Sequence, residues 1–273
     1  MFDTVAIVGV GMIGGSIGLA IKKKKIARRV IGIGHRRKSI QTALKYKSID
    51  EGFLDLRKIK EADLVILACP VSRIIEILRK VSRYARPGAL VIDVGSTKSE
   101  IIKTAQKSKI EFIGSHPLAG MEKTGVASAK GDIFEGSLCL VTPLKNTRPA
   151  LINKIRRFWH ALGARTQVMD ASTHDRILAY VSHLPHAVIF GLIDCVEARY
   201  LQFGAGGLKD TTRIGLSEPL LWRDIFLTNR QELLGAIKGF NRSLARLESL
   251  ISNNQPKALA SYLQKSRNKR NGF

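Results

Sequence analysis

The sequence predicts two parts in series, an α/β half of the Rossmann type and then an all-α half, which meet near residue 168. Three observations carry this prediction. A glycine fingerprint sits between a short β-rich run and an apolar helical stretch at the start of the chain. Apolar runs then alternate with helical patterns, and from Asp170 onward only long helical patterns remain. At 273 residues and 45% hydrophobic content the chain can form two domains, 1–168 and 169–273, each with its own core.

Thr4 to Val8 reads as the first strand. It is followed by Gly9-Val10-Gly11-Met12-Ile13-Gly14 and a helix that ends in Lys22 to Lys25. This is a dinucleotide fingerprint in its required context. Gly9 permits the tight turn, Gly11 lets backbone approach a pyrophosphate, and Gly14 lets helix pack on strand, while the helix start, with Met12 and Ile13, supplies N–H donors. Arg29 to Ile33 reads as the second strand. An NAD site normally places a carboxylate at its end, against the ribose 2′-hydroxyl. Here Gly34 is followed by His35, Arg36 and Arg37. Without the acid, a 2′-phosphate meets no repulsion, and an arginine can grip it with paired hydrogen bonds. NADP is therefore favoured over NAD. The alternative is a basic surface turn ahead of a helix from Ser39 to Tyr46.

Leu64 to Ala68 is apolar throughout, as in a strand covered on both faces, and is followed by Cys69, Pro70 and a helix near Ile74 to Tyr84. Ala89 to Asp93 repeats the pattern, so a parallel, doubly wound sheet is expected, with ligands at the carboxyl ends of its strands. Pro70 and Asp93 fall on that edge. Thr97 with Glu100 reads as a capping box, which leaves Ser96 outside the helix with its hydroxyl available to a substrate or nicotinamide. Ile110 to Gly114 is the next strand. It leads into Ser115-His116-Pro117, read as a turn in which Pro117 disfavours helix and His116 faces the ligand edge. The competing reading is a loop histidine that only caps or solvates.

In the second half, Ile177 to Tyr200, Pro219 to Ile251 and Lys257 to Lys265 carry helical patterns. His183 and His186 share a helix face, and Pro185 between them should kink or interrupt the helix. A metal pair is disfavoured because no third ligand stands at a characteristic spacing. Gly204, Gly206 and Gly207 mark a loop before Lys209, which with Arg213 could converge on a dianion. Helical domains this long and apolar often pack against a copy of themselves, and Ile189, Leu192, Ile193 and Val196 are candidate buried positions. The basic tail from Lys265 to Phe273 is expected to fray.

Lys plus Arg (45) against Asp plus Glu (22) gives a net charge of +23, which favours anionic partners. The basic residues are dispersed, with few aromatics among them to stack on bases, so nucleic-acid binding is not the expected function. Cys69, Cys139 and Cys195 lie in no metal or redox spacing, which suggests reduced thiols in a cytoplasmic protein. The apolar stretch Val5 to Ile21 has its charges after it and glycine at positions 9, 11, 14, 15 and 18, so it reads as strand, turn and helix rather than a targeting or membrane segment.

The chain resembles the prephenate/arogenate dehydrogenases of tyrosine biosynthesis. The resemblance is carried by Gly9 to Ser16, Asp93 to Lys98, and the run from Gly114 through Glu122-Lys123-Thr124-Gly125 to Thr142-Pro143. It continues in Ser182-His183-Leu184-Pro185-His186-Ala187, Gly206-Gly207-Leu208-Lys209-Asp210-Thr211-Thr212-Arg213 and Trp222-Arg223-Asp224. It implies a dinucleotide-binding domain followed by a helical dimerisation domain, and with it a homodimer with interleaved helices. It also implies that His116 is the hydrogen-bond acceptor for a ring hydroxyl, that Ser96 assists it beside the nicotinamide, and that His186, Lys209, Arg213 and Glu122 bind substrate, with Arg213 the main carboxylate anchor. Met121 departs from the threonine of many members.

The reaction implied is oxidative decarboxylation of prephenate to 4-hydroxyphenylpyruvate, with hydride transfer to NAD(P). Glu122-Lys123 resembles prephenate-using members more than arogenate-specific ones. An arogenate or dual-substrate enzyme is the first alternative. More remote are another β-hydroxyacid-type dehydrogenase and a basic nucleic-acid-binding protein.

Overall fold

The computed structural model describes residues 1–120 and 125–272. Eight strands form one sheet in the order β3-β2-β1-β4-β5-β6-β7-β8. In chain order they are β1 (Phe2–Val8), β2 (Ala27–Ile33), β3 (Glu51–Phe53), β4 (Leu64–Leu67), β5 (Leu90–Asp93), β6 (Glu111–Pro117), β7 (Leu138–Pro143) and β8 (Arg165–Val168). The helices of this half are α1 (Met12–Lys23), α2 (Arg37–Lys45), α3 (Val71–Tyr84), α4 (Ser99–Ala105) and α5 (Pro149–Ala161). Strand side chains alternate between two cores. Val5 and Ile7 pack with Ile17, Phe158 and Trp159 under α1 and α5, whereas Ala6 and Val8 join Ile74, Leu78 and Ile101 under α3 and α4. The buried sheet explains why its central strands read as unbroken apolar runs.

The sheet departs from the all-parallel expectation at one end. β6 pairs antiparallel with β7, and β7 parallel with β8. Among the described residues, the connection from β6 to β7 holds only the short 3₁₀ turn Val126–Ser128. A parallel return needs a crossover element, and without one the chain comes back antiparallel.

The fingerprint turn is set by close backbone approach. Gly9 has φ +102°, and a Cβ there would lie 2.4 Å from the Ala68 carbonyl oxygen. A Cβ on Gly14 would lie 2.0 Å from the Gly9 oxygen, so Gly14→Ala must push α1 away from the turn. We expect this variant to lose about 1–3 kcal/mol in urea unfolding, with weaker dinucleotide binding by calorimetry.

The second half holds α6 (Ala171–Leu178), a π-helical turn (Ala179–His183), α7 (Leu184–Cys195), α8 (Gly206–Thr212), α9 (Pro219–Thr228), α10 (Arg230–Ser252) and α11 (Pro256–Asn271). Pro185 enters α7 in its first turn, where its missing N–H costs least, and the interruption takes the form of the π turn before it. The helical pattern from Pro219 to Ile251 is broken at Asn229, where φ is −115° and the side chain donates to the Asp175 carbonyl. The basic tail does not fray at Lys265. α11 runs to Asn271, with Lys269 and Arg270 in its last turn, where cations suit the helix dipole.

The two halves are joined by hydrogen bonds. Ser72 Oγ donates to Asp224 Oδ2 (2.6 Å), and the Thr97 and Thr228 hydroxyls lie 2.9 Å apart. The expected capping box is absent. α4 begins at Ser99, and its start is capped from the other half, where the Asp175 carboxylate accepts from Lys98 N and Ser99 N, each at 2.8 Å. Thr97 is drawn to Thr228 instead.

Candidate active site

The carboxyl edge of the parallel strands carries the glycine fingerprint, Pro70, Ser96 and His116. At its β1 end, Gly11 is the N-cap of α1 and has no side chain to cap it; a Cβ on Gly11 would meet nothing within 4 Å. Space therefore lies open over the first N–H groups of a 12-residue helix, a cradle fitted to a pyrophosphate. Met12 and Ile13 begin that helix, and Pro70, exposed, begins α3 next to it on the sheet edge. Cys69 adjoins this turn, but burial pushes its thiol up to about 12, so it is no nucleophile at neutral pH. At the end of β2, His35, Arg36 and Arg37 are exposed, and neither arginine pairs with a carboxylate among the described residues.

His116 does not occupy a turn. β6 continues through Pro117, with His116 opposite Leu140 of β7, three residues past the last pairing with β5. On that side the ladder has already ended, so proline is tolerated in the strand. His116 is thereby fixed by sheet pairing, a firmer mount than a loop. Its Nδ1 lies 2.9 Å from His174 Nε2, and His174 Nδ1 lies 2.8 Å from Asp175 Oδ1. Burial, then the neighbouring His174, Lys98 and His183, hold the His116 pKa well below 6.5.

Beneath it, the Lys98 ammonium and the Asp93 carboxylate form a fully buried ion pair, and Asp93 also accepts from Gly95 N at 2.7 Å and Ser115 N at 3.4 Å. Ser96, half-buried, lies between these groups in sequence, just outside α4. Asn229 Nδ2 donates to the Asp175 carbonyl (2.8 Å) and faces His183 Nδ1 at 3.0 Å. Burial lowers the His183 pKa to about 4, so it is neutral at physiological pH.

His186 stacks on Trp222 with ring centroids 3.5 Å apart, and its Nδ1 donates to the Ser182 carbonyl at 2.9 Å. A carbonyl can only accept, so His186 Nε2 carries the lone pair, and burial lowers this group's pKa too. Lys209 and Arg213 are exposed on α8 and the turn after it, which packs on α7 where Gly215 approaches Ile189 and Ile193. Lys209 makes no hydrogen bond or ion pair among the described residues and is not part of the histidine cluster. Glu122 and Met121 lie outside the described residues. Of the four apolar positions expected at a helix interface, Ile189 is buried within the chain, Leu192 and Val196 are half-buried and Ile193 is exposed.

Sequence reading missed His174, Asp175, Asn229 and the buried Lys98. An adjacent His-Asp pair opening a helix was the available signal, and Trp222 stood in a block that carried the resemblance without a role.

The site offers a neutral histidine that can accept a proton from a hydroxyl. Among the described residues no group of three His, Cys, Asp or Glu side chains is placed to hold a metal ion.

Two family models match the chain: prephenate dehydrogenase, nucleotide-binding domain, over residues 17–168, and prephenate dehydrogenase, dimerization domain, over residues 170–265. The prephenate dehydrogenase of Bacillus subtilis is 33% identical, covering 100% of this chain and 76% of the relative. Among solved structures, prephenate dehydrogenase from A. aeolicus in complex with hydroxyphenyl propionate and NAD+ aligns with a TM-score of 0.94 at 34% identity, over 99% of this chain and 98% of that one. Synechocystis arogenate dehydrogenase aligns with a TM-score of 0.86 at 28% identity, over 98% of this chain and 99% of that one.

Proposed function

The chain belongs to the prephenate dehydrogenase family, and from that premise we propose that it converts prephenate to 4-hydroxyphenylpyruvate by oxidative decarboxylation in tyrosine biosynthesis. The observation that carries this reading is His116, held neutral on a strand at the same sheet edge as the glycine cradle. When bound, the nicotinamide supplies the hydride acceptor. His116 Nε2 accepts the ring-hydroxyl proton as the carbonyl forms. Loss of the ring carboxylate as carbon dioxide aromatises the ring, and the proton on His116 returns to the phenolic oxygen. Aromatisation drives the reaction, so the protein contributes orientation and proton placement rather than a nucleophile.

Ser96 assists His116 beside the nicotinamide, and His186, neutral with a lone pair on Nε2, accepts a hydrogen bond from substrate. Arg213 anchors the side-chain carboxylate with Lys209 near it, and Glu122 completes the substrate site. An arogenate ammonium would meet two cations of its own sign there, which favours prephenate. Purified protein assayed with prephenate or arogenate, and NAD or NADP in parallel, tests the reading at the reduced-nicotinamide absorbance. No turnover with either substrate would overturn it.

NADP is the preferred cofactor in this reading, supported by two exposed guanidinium groups at the end of β2 that pair with no carboxylate among the described residues, and by the glycine where an acid would repel a phosphate. Substituting both Arg36 and Arg37 with alanine is expected to raise KM for NADP at least about tenfold while KM for NAD stays within about twofold. Equal effects on both cofactors would leave the turn a mere surface feature.

The working unit is a homodimer built on residues 169–273. Exposed apolar side chains on this half, including Val181 (66%), Phe203 (77%) and Leu216 (78%), support burial against a second copy. The run Ala171–Cys195 is long and apolar enough to cross a membrane by composition. However, it carries His174, Asp175 and His183, which are hydrogen-bonded to His116, α4 and Asn229, and this argues against a membrane role. Three free cysteines suit a reducing cytoplasm, and no nucleic-acid partner is invoked.

A further inference from the structure

A neutral imidazole can carry its proton on either nitrogen, so neutrality alone does not give His116 a lone pair facing the substrate. The hydrogen-bond polarity around it removes the choice. Lys98 N and Ser99 N are backbone donors, so the Asp175 oxygens they approach at 2.8 Å must both accept. Asp175 is thereby stabilised as a carboxylate at the amino end of α4. Burial works against its charge, but the bonds from His174 and Ser99 outweigh this and hold the carboxyl below its ordinary value.

An ionised Asp175 can only accept from His174 Nδ1, at 2.8 Å, and a neutral His174 then has its lone pair on Nε2. His116 Nδ1, 2.9 Å from that nitrogen, must donate. The proton of His116 is consequently on Nδ1 and its lone pair on Nε2. The rival arrangement, a doubly protonated His174 donating in both directions, would place a second cation in a site with no exposure, facing the Lys98 ammonium. The remaining titratable neighbours are Asp93, already paired with Lys98, and His183, whose Nδ1 faces the Asn229 amide.

We propose that His174 and Asp175 are positioning residues, which with the amino end of α4 lock His116 as the tautomer that accepts the substrate proton. The link to turnover rests on the proposed function; the tautomer itself does not.

Two-bond ¹⁵N–¹H imidazole spectra of the full-length, ¹⁵N-histidine-labelled protein at pH 7 test the lock directly. His116→Gln identifies the His116 signals by deleting them. The expected spectrum has His116 and His174 each protonated on Nδ1. A wild-type spectrum with His116 protonated on Nε2 overturns the proposal, and it needs no variant to fold.

Asp175→Ala removes the acceptor from His174 Nδ1, so neither ring is held to one tautomer. The His116 spectrum should then show protonation on Nε2 as well as Nδ1, and kcat should fall about tenfold or more while KM for substrate stays within about threefold. A His116 ring still protonated on Nδ1 alone in this variant overturns the lock. His174→Gln, whose amide oxygen can stand in for Nε2, should keep most activity, whereas His174→Asn, which reaches only the Nδ1 position, should lose it. Equal losses in both variants, with raised KM and unchanged kcat, point to packing alone and overturn the positioning role. An inactive wild-type protein with the expected spectrum overturns the proposed reaction and leaves the tautomer assignment standing.

Discussion

Replacing His116 with asparagine lowers kcat by about 10³-fold and leaves KM for substrate and cofactor within about threefold. The asparagine side chain is too short to place an acceptor where Nε2 stands, and an amide oxygen is a far weaker base than imidazole. Positioned proton acceptors contribute about 10²–10⁴-fold, and the fall belongs to kcat because the hydroxyl proton moves only as the carbonyl develops. The pH profile gives a second signature. Burial, then His174, Lys98 and His183, depress the His116 pKa well below 6.5, which favours the neutral, accepting form. Protonation abolishes acceptance, so activity is retained as pH falls through 6.5 and is lost only at distinctly lower pH. Steady-state kinetics across the acid range checks both points. Near-normal turnover with an unchanged profile in the variant would remove His116 from the mechanism.

Arg213→Ala raises KM for substrate about 100-fold and lowers kcat less than about tenfold. The guanidinium fork suits a carboxylate because two parallel bonds form at once, and hydrogen bonds to charged groups are worth about 1.5–3 kcal/mol each way of counting. The anchored carboxylate is the one on the side chain, which stays unchanged from ground state to transition state. Uniform binding of this kind appears in KM rather than kcat. A variant that loses kcat and keeps KM would place Arg213 on the leaving carboxylate instead. Arg213→Lys should recover only part of the affinity, since a point charge cannot reproduce the fork.

The legible parts of this chain are those whose partners are close in sequence. The fingerprint at Gly9, Gly11 and Gly14 is a local turn, and each central strand is a local apolar run, so spacing alone identifies them. His116 stood out because it follows a strand, although its strand proved three residues longer than its apolar core. What stayed hidden depends on distant partners. His116 meets His174 across 58 residues, Lys98 meets Asp175 across 77, and Asn229 meets Asp175 across 54. The capping-box reading failed for this reason: Thr97 and Glu100 have the right spacing, but an aspartate from the other half reaches the helix start first. The direction of β7 was likewise set by the connection before it, which among the described residues holds no crossover helix.

The cap that Asp175 places on α4 has a consequence for how the molecule can vary. On the α/β side it is received by the amides of residues 98 and 99, and Asn229 grips the carbonyl of residue 175, so these contacts read main chain and ignore side-chain identity. That part of the seam depends on backbone alone, whereas Ser72 with Asp224, Thr97 with Thr228 and His116 with His174 meet through side chains. Halves of two different chains spliced after residue 168 should therefore meet in register only where those three pairs and Asp175 are kept.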